Sequence, residues 1–307
     1  MSTFVCVIIA TFLTCISCSD RPIVGILAQE SVYEGKNVSM IPGSYVLMME
    51  GSGTRVVPIF INQNQSYYDK ILSSINGVVF PGGNLDLLQN GGMVKAANLI
   101  YDYARKANQK ENVFPILGVC QGLELLAYLS SNKLWPLKPC KGMMNVDLPL
   151  EFVVDYATTS LFKNAKKEDI YTFIHKNSTV NHHSWCLTRN SMKKFGLDKH
   201  WRTLTVNKDS DGMEFISTFE SFSYPFAGLQ FHPEKCAYEW GLGQNNMHTM
   251  DAISANRVFY DWLAAKARES KNHFETVKDE MEASIFNYVP TFTGKNGGYS
   301  QLLYIFH

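Results

Sequence analysis

Short apolar runs alternate with amphipathic segments through the first half of the chain. Runs of this length are typical of buried strands, and they cover residues 22–27, 55–60, 77–80 and 114–119. Helical spacing follows at residues 44–50 and 122–129 and in a segment whose apolar residues recur every three or four positions, at Met93, Ala97, Ile100 and Ala104. This order predicts repeated strand and helix units.

The second half predicts shorter strands over residues 214–219 and 225–231 and a closing helix over residues 252–271. No low-complexity linker or internal repeat separates the two halves. We therefore predict an α/β fold with a mostly parallel central sheet and helices on both faces, as a single domain over residues 20–307. The functional loops of such a sheet gather at the C-terminal ends of its strands.

The amino-acid composition and net charge indicate which kind of partner the protein binds. Apolar residues make up 46% of the 307 positions and charged residues 18%, which is typical of a globular protein with a sizeable core. Lys plus Arg (28) balances Asp plus Glu (28), so no net charge attracts the protein to nucleic acid or to an anionic membrane. We expect a small-molecule partner.

The N-terminus predicts entry into the secretory pathway. An apolar run over residues 4–16 is followed by small residues, which is typical of a cleaved signal peptide over residues 1–19. No Lys or Arg precedes the run, so an uncleaved anchor or a buried strand stays an alternative, although the run is short for a bilayer. The Asn-x-Ser/Thr sequons predict glycosylation at Asn37, Asn64 and Asn177.

The chain has seven cysteines, and Cys6, Cys15 and Cys18 fall in the predicted leader. The remaining four are too few and too widely spaced for a disulfide scaffold; they are Cys120, Cys140, Cys186 and Cys236. If one is a nucleophile, the others stay buried thiols or form one bridge. The sequence leaves their pairing open.

Cys120 is the candidate nucleophile. It is the centre of a Gly-x-Cys-x-Gly turn, Gly118 to Gly122, between a predicted strand and a predicted helix, as a nucleophile elbow requires. The helix N-terminus behind it favours a lowered thiol pKa. The alternative is a buried structural cysteine.

His232 is the candidate base and Glu234 the candidate residue that orients it. Alternation along residues 225–234 places both on one face, and Pro233 holds His232 extended. A carboxylate in this position fixes the imidazole tautomer, as in a triad. The N–H groups of Gln121 and Gly83 are the candidate oxyanion donors, although the glycine turn could be structural only.

Three segments together resemble the class I glutamine amidotransferase superfamily, whose α/β domains use a Cys, His, Glu triad. They are residues 81–83 (PGG), 118–122 (GVCQG) and 231–234 (FHPE). Within it the chain resembles the γ-glutamyl hydrolase family over nearly its whole length beyond the leader, including residues 21–27, 44–46, 55–58, 214–218, 238–240 and 304–306. Gln121 and Phe231 depart from that family, which has Leu and Trp there.

The resemblance implies hydrolysis of γ-glutamyl amide bonds in folate poly-γ-glutamates by a secreted and lysosomal homodimer. It also makes Glu124 and His183 candidate substrate contacts, because Glu124 stands where amidotransferases have Gln and residues 181–185 (NHHSW) match an Asn-x-His-x-Trp segment. A helix-favoured acid and a structural histidine are the alternatives.

No metal, Walker or dinucleotide pattern occurs, so we predict neither a metal nor a cofactor. Two other functions compete with hydrolysis. A glutaminase domain would serve an intracellular synthetase, which the leader disfavours. A secreted γ-glutamyl-peptide binding protein would not need the complete triad.

Overall fold

The computed structural model describes residues 20–296 and 299–307. In that part of the chain the strands are β1 (Ile23–Leu27), β2 (Gln29–Tyr33), β3 (Lys36–Pro42), β4 (Arg55–Ile59), β5 (Gly77–Phe80), β6 (Ile116–Val119), β7 (Leu137–Pro139), β8 (Met144–Leu148), β9 (Glu151–Phe152), β10 (Thr179–His182), β11 (Trp185–Leu187), β12 (Trp201–Lys208), β13 (Glu214–Ser221), β14 (Phe226–Leu229), β15 (Thr291–Phe292) and β16 (Leu302–Phe306). The α-helices are α1 (Gly43–Gly51), α2 (Gln65–Ser74), α3 (Gly92–Gln109), α4 (Gln121–Ser130), α5 (Lys167–His175), α6 (Arg189–Lys194), α7 (Lys235–Tyr238), α8 (Met250–Arg268) and α9 (Val277–Ala283).

An eight-stranded sheet forms the centre, in the order β4, β1, β5, β6, β14, β13, β12, β9. The first five strands pair in parallel, and the last three extend the sheet in antiparallel fashion. Two-stranded ribbons, β8 with β10 and β7 with β11, lie outside it, as does a small sheet of β2, β3, β15 and β16.

Strand β1 explains why helices cover both faces of the sheet. All five of its residues are buried, as expected for a strand with no solvated face. Its side chains alternate between two apolar cores: Ile23 and Leu27 join α2, α3 and α4, whereas Val24 and Ile26 join α1, α5 and α8. The predicted α/β fold with helices on both faces is confirmed.

Several predicted boundaries need correction. Strand β6 begins at Ile116 rather than at residue 114, because Pro115 has no N–H to donate to the ladder. Strand β14 ends at Leu229, two residues before the predicted end, and the closing helix α8 ends at Arg268. The predicted leader with Cys6, Cys15 and Cys18 lies outside the described residues. Within the described residues no helix has both the length and the apolar character needed to cross a membrane.

Candidate active site

Cys120 occupies a strained turn between β6 and α4. Its φ of 51° and ψ of −109° are unusual for a residue with a side chain, and its N–H donates to Leu229 O on the neighbouring strand at 2.6 Å. The turn requires glycine at position 122, since a Cβ there would lie 2.0 Å from Phe80 O. The predicted elbow geometry is therefore present, with the side chain at the sheet's C-terminal edge.

His232 and Glu234 meet, but not by the predicted strand alternation. The chain leaves the strand after Leu229, and Glu234 has the helical angles φ −69° and ψ −26° at the start of α7. In this turn the His232 Nδ1–H donates to Glu234 Oε1 at 2.6 Å. The Nδ1 tautomer is set by the carboxylate, which leaves Nε2 free to accept a proton.

The thiol and the imidazole line one pocket of about 350 Å³. Gly82 lies between them: a Cβ at that position would be 2.6 Å from His232 Cε1 and 3.2 Å from Cys120 Cβ. Gln121, Glu124 and the backbone of Gly83 line the same pocket, as do His182, His183 and Lys235. The structure thus brings every predicted catalytic, oxyanion and substrate-contact residue to one cavity.

The expected lowering of the Cys120 pKa is wrong. Burial raises the pKa of this thiol well above its usual value, and the negative charges of Glu124 and Glu234 raise it further; the Gln121 N–H and Lys235 oppose them. Burial also raises the pKa of Glu234, but His232 and Lys235 outweigh that effect and hold it below its usual value. The resting thiol therefore keeps its proton and donates a hydrogen bond to His182 O, 3.7 Å from the sulfur, in the pocket that His232 and the ionised Glu234 also line.

The two predicted oxyanion donors line the pocket, Gln121 as the first residue of α4 and Gly83 in the loop that follows β5. The Gln121 N–H acts on the Cys120 sulfur, whose pKa it lowers. The Gly83 N–H donates to no acceptor among the described residues. The Gln121 side chain holds the loop that carries Gly83 through paired hydrogen bonds with the backbone of Leu85, at 2.7 and 3.0 Å.

Tyr45 is a site residue that the sequence did not single out. Its hydroxyl accepts the Gly82 N–H at 2.8 Å and lies 3.3 Å from His232 Nδ1. Burial, followed by the charges of Glu234 and Cys120, raises its pKa well above the usual value, so it stays a phenol. Its only sequence signal was family likeness over residues 44–46.

The adjacent histidines occupy different surroundings. His183 has partners at both ring nitrogens, Asn181 Oδ1 and Trp185 O, each at 3.1 Å. His182 Nδ1 accepts the Asn145 N–H at 3.1 Å and lies 2.5 Å from Tyr299 Oη, while its buried Nε2 has no partner among the described residues. Burial lowers the pKa of both to about 3, so both are neutral. A neutral imidazole has one N–H, so His183 donates to only one of these two oxygens, but both lie against the ring, and this favours support of the pocket wall over direct contact with substrate.

Glu124 is a buried acid on the first turn of α4. Its Oε1 accepts a hydrogen bond from Gln230 Nε2 at 3.1 Å. Burial raises its pKa to about 7, because removing a carboxylate from water disfavours the charged form.

The structure answers the question of cysteine pairing. Cys140 and Cys186 form a disulfide, and Cys120 and Cys236 are free buried thiols. His183 lies with Cys140 and Cys186 in a group whose potential ligand atoms are within 4.8 Å of one another, neighbours that the sequence did not reveal. Sulfurs joined in a disulfide are not thiolate ligands, so this group does not fit a metal in the oxidised protein.

A thiol and an imidazole that a carboxylate orients, in one pocket, are the groups with which cysteine hydrolases cleave acyl bonds, and the family match agrees with that class. The model of the family Peptidase C26 matches residues 22–234. Among solved structures, PurLQS from Thermotoga maritima aligns with a TM-score of 0.45 at 17% identity, over 80% of this chain and 99% of that chain.

Curated relatives extend the match over almost the whole chain. Gamma-glutamyl hydrolase from Bos taurus is 35% identical, covering 93% of this chain and 90% of its own. Gamma-glutamyl hydrolase from Homo sapiens is 32% identical, covering 94% and 90%, and Gamma-glutamyl hydrolase B from Dictyostelium discoideum is 32% identical, covering 94% and 84%. The chain belongs to the Peptidase C26 family, together with these γ-glutamyl hydrolases, and is a hydrolase of the cysteine peptidase type.

Proposed function

We propose that this protein hydrolyses γ-glutamyl amide bonds in folate poly-γ-glutamates, with Cys120 as nucleophile and His232 as base. The observation that carries the proposal is the His232–Glu234 hydrogen bond beside the Cys120 elbow in one pocket. The names of the relatives supply the bond type.

In the first half of the reaction, His232 Nε2 takes the Cys120 proton as the sulfur attacks the γ-carbonyl carbon. The N–H groups of Gln121 and Gly83 stabilise the oxyanion, and each such donor is typically worth about 2.7–4 kcal/mol. His232 then protonates the leaving amine, and a γ-glutamyl thioester remains. Glu234 holds the imidazole and stabilises its charged form.

In the second half, water replaces the leaving amine. His232 takes a proton from water as the hydroxide attacks the thioester carbon, and the sulfur leaves with that proton. Because burial raises the pKa of the Cys120 thiol, its thiolate is a poor leaving group, and the proton that His232 returns to the sulfur is needed for the thioester to break down. The products are the shortened folate and free glutamate or a glutamate peptide.

The test is product analysis by mass spectrometry after incubation of a folate pentaglutamate with the purified protein, followed by kinetics on methotrexate diglutamate, its α-linked isomer and free glutamine. We expect kcat/KM on the γ-linked substrate to exceed that on glutamine by at least about two orders of magnitude, or roughly 2.7 kcal/mol. Comparable rates on glutamine would favour the glutaminase alternative. Comparable rates on the α-linked isomer would indicate a general peptidase.

We also propose that the protein works in the secretory pathway, as a secreted and lysosomal homodimer. The sequon residues Asn37, Asn64 and Asn177 are exposed, and the Cys140–Cys186 disulfide is of the kind that persists in oxidising compartments. Deglycosylation should therefore increase the electrophoretic mobility of protein secreted from eukaryotic cells, and size-exclusion chromatography with light scattering should give twice the chain mass. An unshifted band or a monomer mass would contradict the respective part.

A further inference from the structure

Lys235 is a buried cation whose side chain faces the pocket. It is the first residue of α7, is 3% exposed and lines the cavity beside Cys120. Its Nζ lies 4.9 Å from the centre of the Tyr299 ring. Among the described residues, no carboxylate lies within ion-pair distance of Nζ and no oxygen accepts a hydrogen bond from it, although the charges of Glu234 and Glu239 act on it from farther away.

Such a position is costly unless a negative group comes to it. Removing an ammonium from water is unfavourable without pairing, and a lysine this buried normally has a partner. The nearest acids do not pair with it directly: Glu234 Oε1 bonds His232 and Glu239 Oε2 accepts the Gln301 N–H at 2.9 Å, and although the second oxygen of each is buried without a partner, the Lys235 charge acts on both acids only from beyond ion-pair distance. The unpaired charge therefore remains available to a ligand in the pocket.

No other described side chain of the pocket can supply this charge. Lys235 is the only Lys or Arg among the described residues that line the cavity. His182 and His183 are neutral, and His232 is needed for proton transfer. Glu124 and Glu234 would repel an anion.

We propose that Lys235 determines specificity by binding the α-carboxylate of a γ-linked glutamate next to the scissile bond. This inference rests on the proposed function. In a γ-linked chain each glutamate keeps its α-carboxylate, which lies three bonds from the scissile carbon in the leaving glutamate and four bonds in the donor glutamate. Either carboxylate can therefore come close to a cation that already acts on the Cys120 sulfur.

The experiment compares three substrates: 4-aminobenzoyl-glutamyl-γ-glutamate and its two analogues with the α-carboxylate of the donor or of the leaving glutamate replaced by a carboxamide. We expect wild type to prefer the carboxylate over one of the two carboxamides by roughly 10- to 100-fold in kcat/KM, as for a charged hydrogen bond. In Lys235→Met that preference should fall to within about twofold of unity. The analogue for which it falls identifies the glutamate that Lys235 binds.

The ratio of two substrates on one preparation does not depend on the fraction of protein that is folded. Lys106→Met is the matched control, because Lys106 is an exposed lysine of α3 outside the pocket, and it should keep the wild-type preference. Equal losses on all three substrates in Lys235→Met would overturn the inference and make Lys235 a structural cation. Failure of wild type to cleave any of the three would instead contradict the proposed function.

Discussion

The two sides of the pocket are built in different ways. One side, which we call the thiol corner, consists of Cys120, His232 and Glu234 and follows the ends of β6 and β14, which pair in parallel with Gly118 opposite Gly228. The other side, the ribbon wall, consists of residues 182–185 between the short strands β10 and β11. The reacting groups follow the central sheet, with one added hydrogen bond from the His232 N–H to Val180 O of β10 at 2.8 Å, whereas the wall depends on small ribbons.

The ribbon wall has weaker regular structure but additional cross-links. The pairing of β10 with β8 shifts register between Asn181 and His182, and β11 pairs with the three-residue strand β7. The Cys140–Cys186 disulfide then joins the end of β7 to β11. The difference suggests a division of labour in which corner residues govern kcat and wall residues govern KM.

The largest expected effect is the loss of kcat on changing a residue of the thiol corner. Cys120→Ala should lower kcat by at least about three orders of magnitude, because it removes the attacking atom from residues that act as a unit. Circular dichroism and the melting temperature should stay close to wild type. Cys236→Ala is the matched control, since Cys236 is the other buried free thiol, its sulfur contacts Ser178 O, and it lies outside the pocket that Cys120 lines. Equal activity losses in both variants would contradict the assignment.

The second prediction tests what holds the wall. Replacing both Cys140 and Cys186 with Ser opens a cross-link between residues separated by 46 positions, which the loop-entropy model values at about 4 kcal/mol of unfolding free energy. Urea denaturation should report a loss of up to that size. KM should rise more than kcat falls, because the disulfide fastens β11 to the end of β7, whereas the ribbon strand that the corner contacts, through the His232 N–H and Val180 O, is β10; a fall in kcat alone would contradict the comparison.

The corner was predictable because its signals are local. The elbow glycines, the buried strands and the His-Pro-Glu turn each lie within a few residues, although the turn joins His232 to Glu234 by a helical residue rather than by strand alternation. Family likeness pointed to His183 in the wall, but the strands that build the wall were not predicted, since β8 and β10 carry no clear period and pair across a long interval of sequence. The thiol pKa was wrong for the same reason: Glu124 and burial act on Cys120 only in the folded protein.

The third prediction concerns Glu124, the buried acid on the first turn of α4 whose charge acts on Cys120. Its folded pKa of about 7 is raised from the usual 4.5, so the unfolded chain loses this proton first as pH rises. The contribution of Glu124 to the free energy of unfolding is therefore fully present below pH 4.5, decreases between about pH 4.5 and 7, and is lost above about pH 7. The penalty at pH 8 is about 3 kcal/mol.

Glu124→Gln removes that titration while keeping the shape of the side chain. Urea unfolding at pH 4.5 and pH 8 should show the variant gaining about 3 kcal/mol relative to wild type between the two values. Using the difference between variant and wild type cancels the histidines, which titrate in both proteins. A constant difference across this range would mean that Glu124 is ionised at all of these pH values.

The smallest expected effect returns to the wall. Trp185 is 39% exposed, lines the pocket and packs edge-to-face on Trp135 with ring centres 5.1 Å apart. Trp185→Ala should raise KM several-fold, since the wall loses a ring that faces the pocket, and an aromatic contact with a bound ligand is worth roughly 0.5–1.5 kcal/mol. Because no corner residue contacts this ring pair, kcat should stay within about twofold of wild type.

Trp240→Ala is the control, as Trp240 is 54% exposed, stacks on His248 and lies outside the pocket. If Trp185→Ala instead lowers kcat tenfold at unchanged KM, the wall takes part in positioning the reacting groups and the division between the two sides fails.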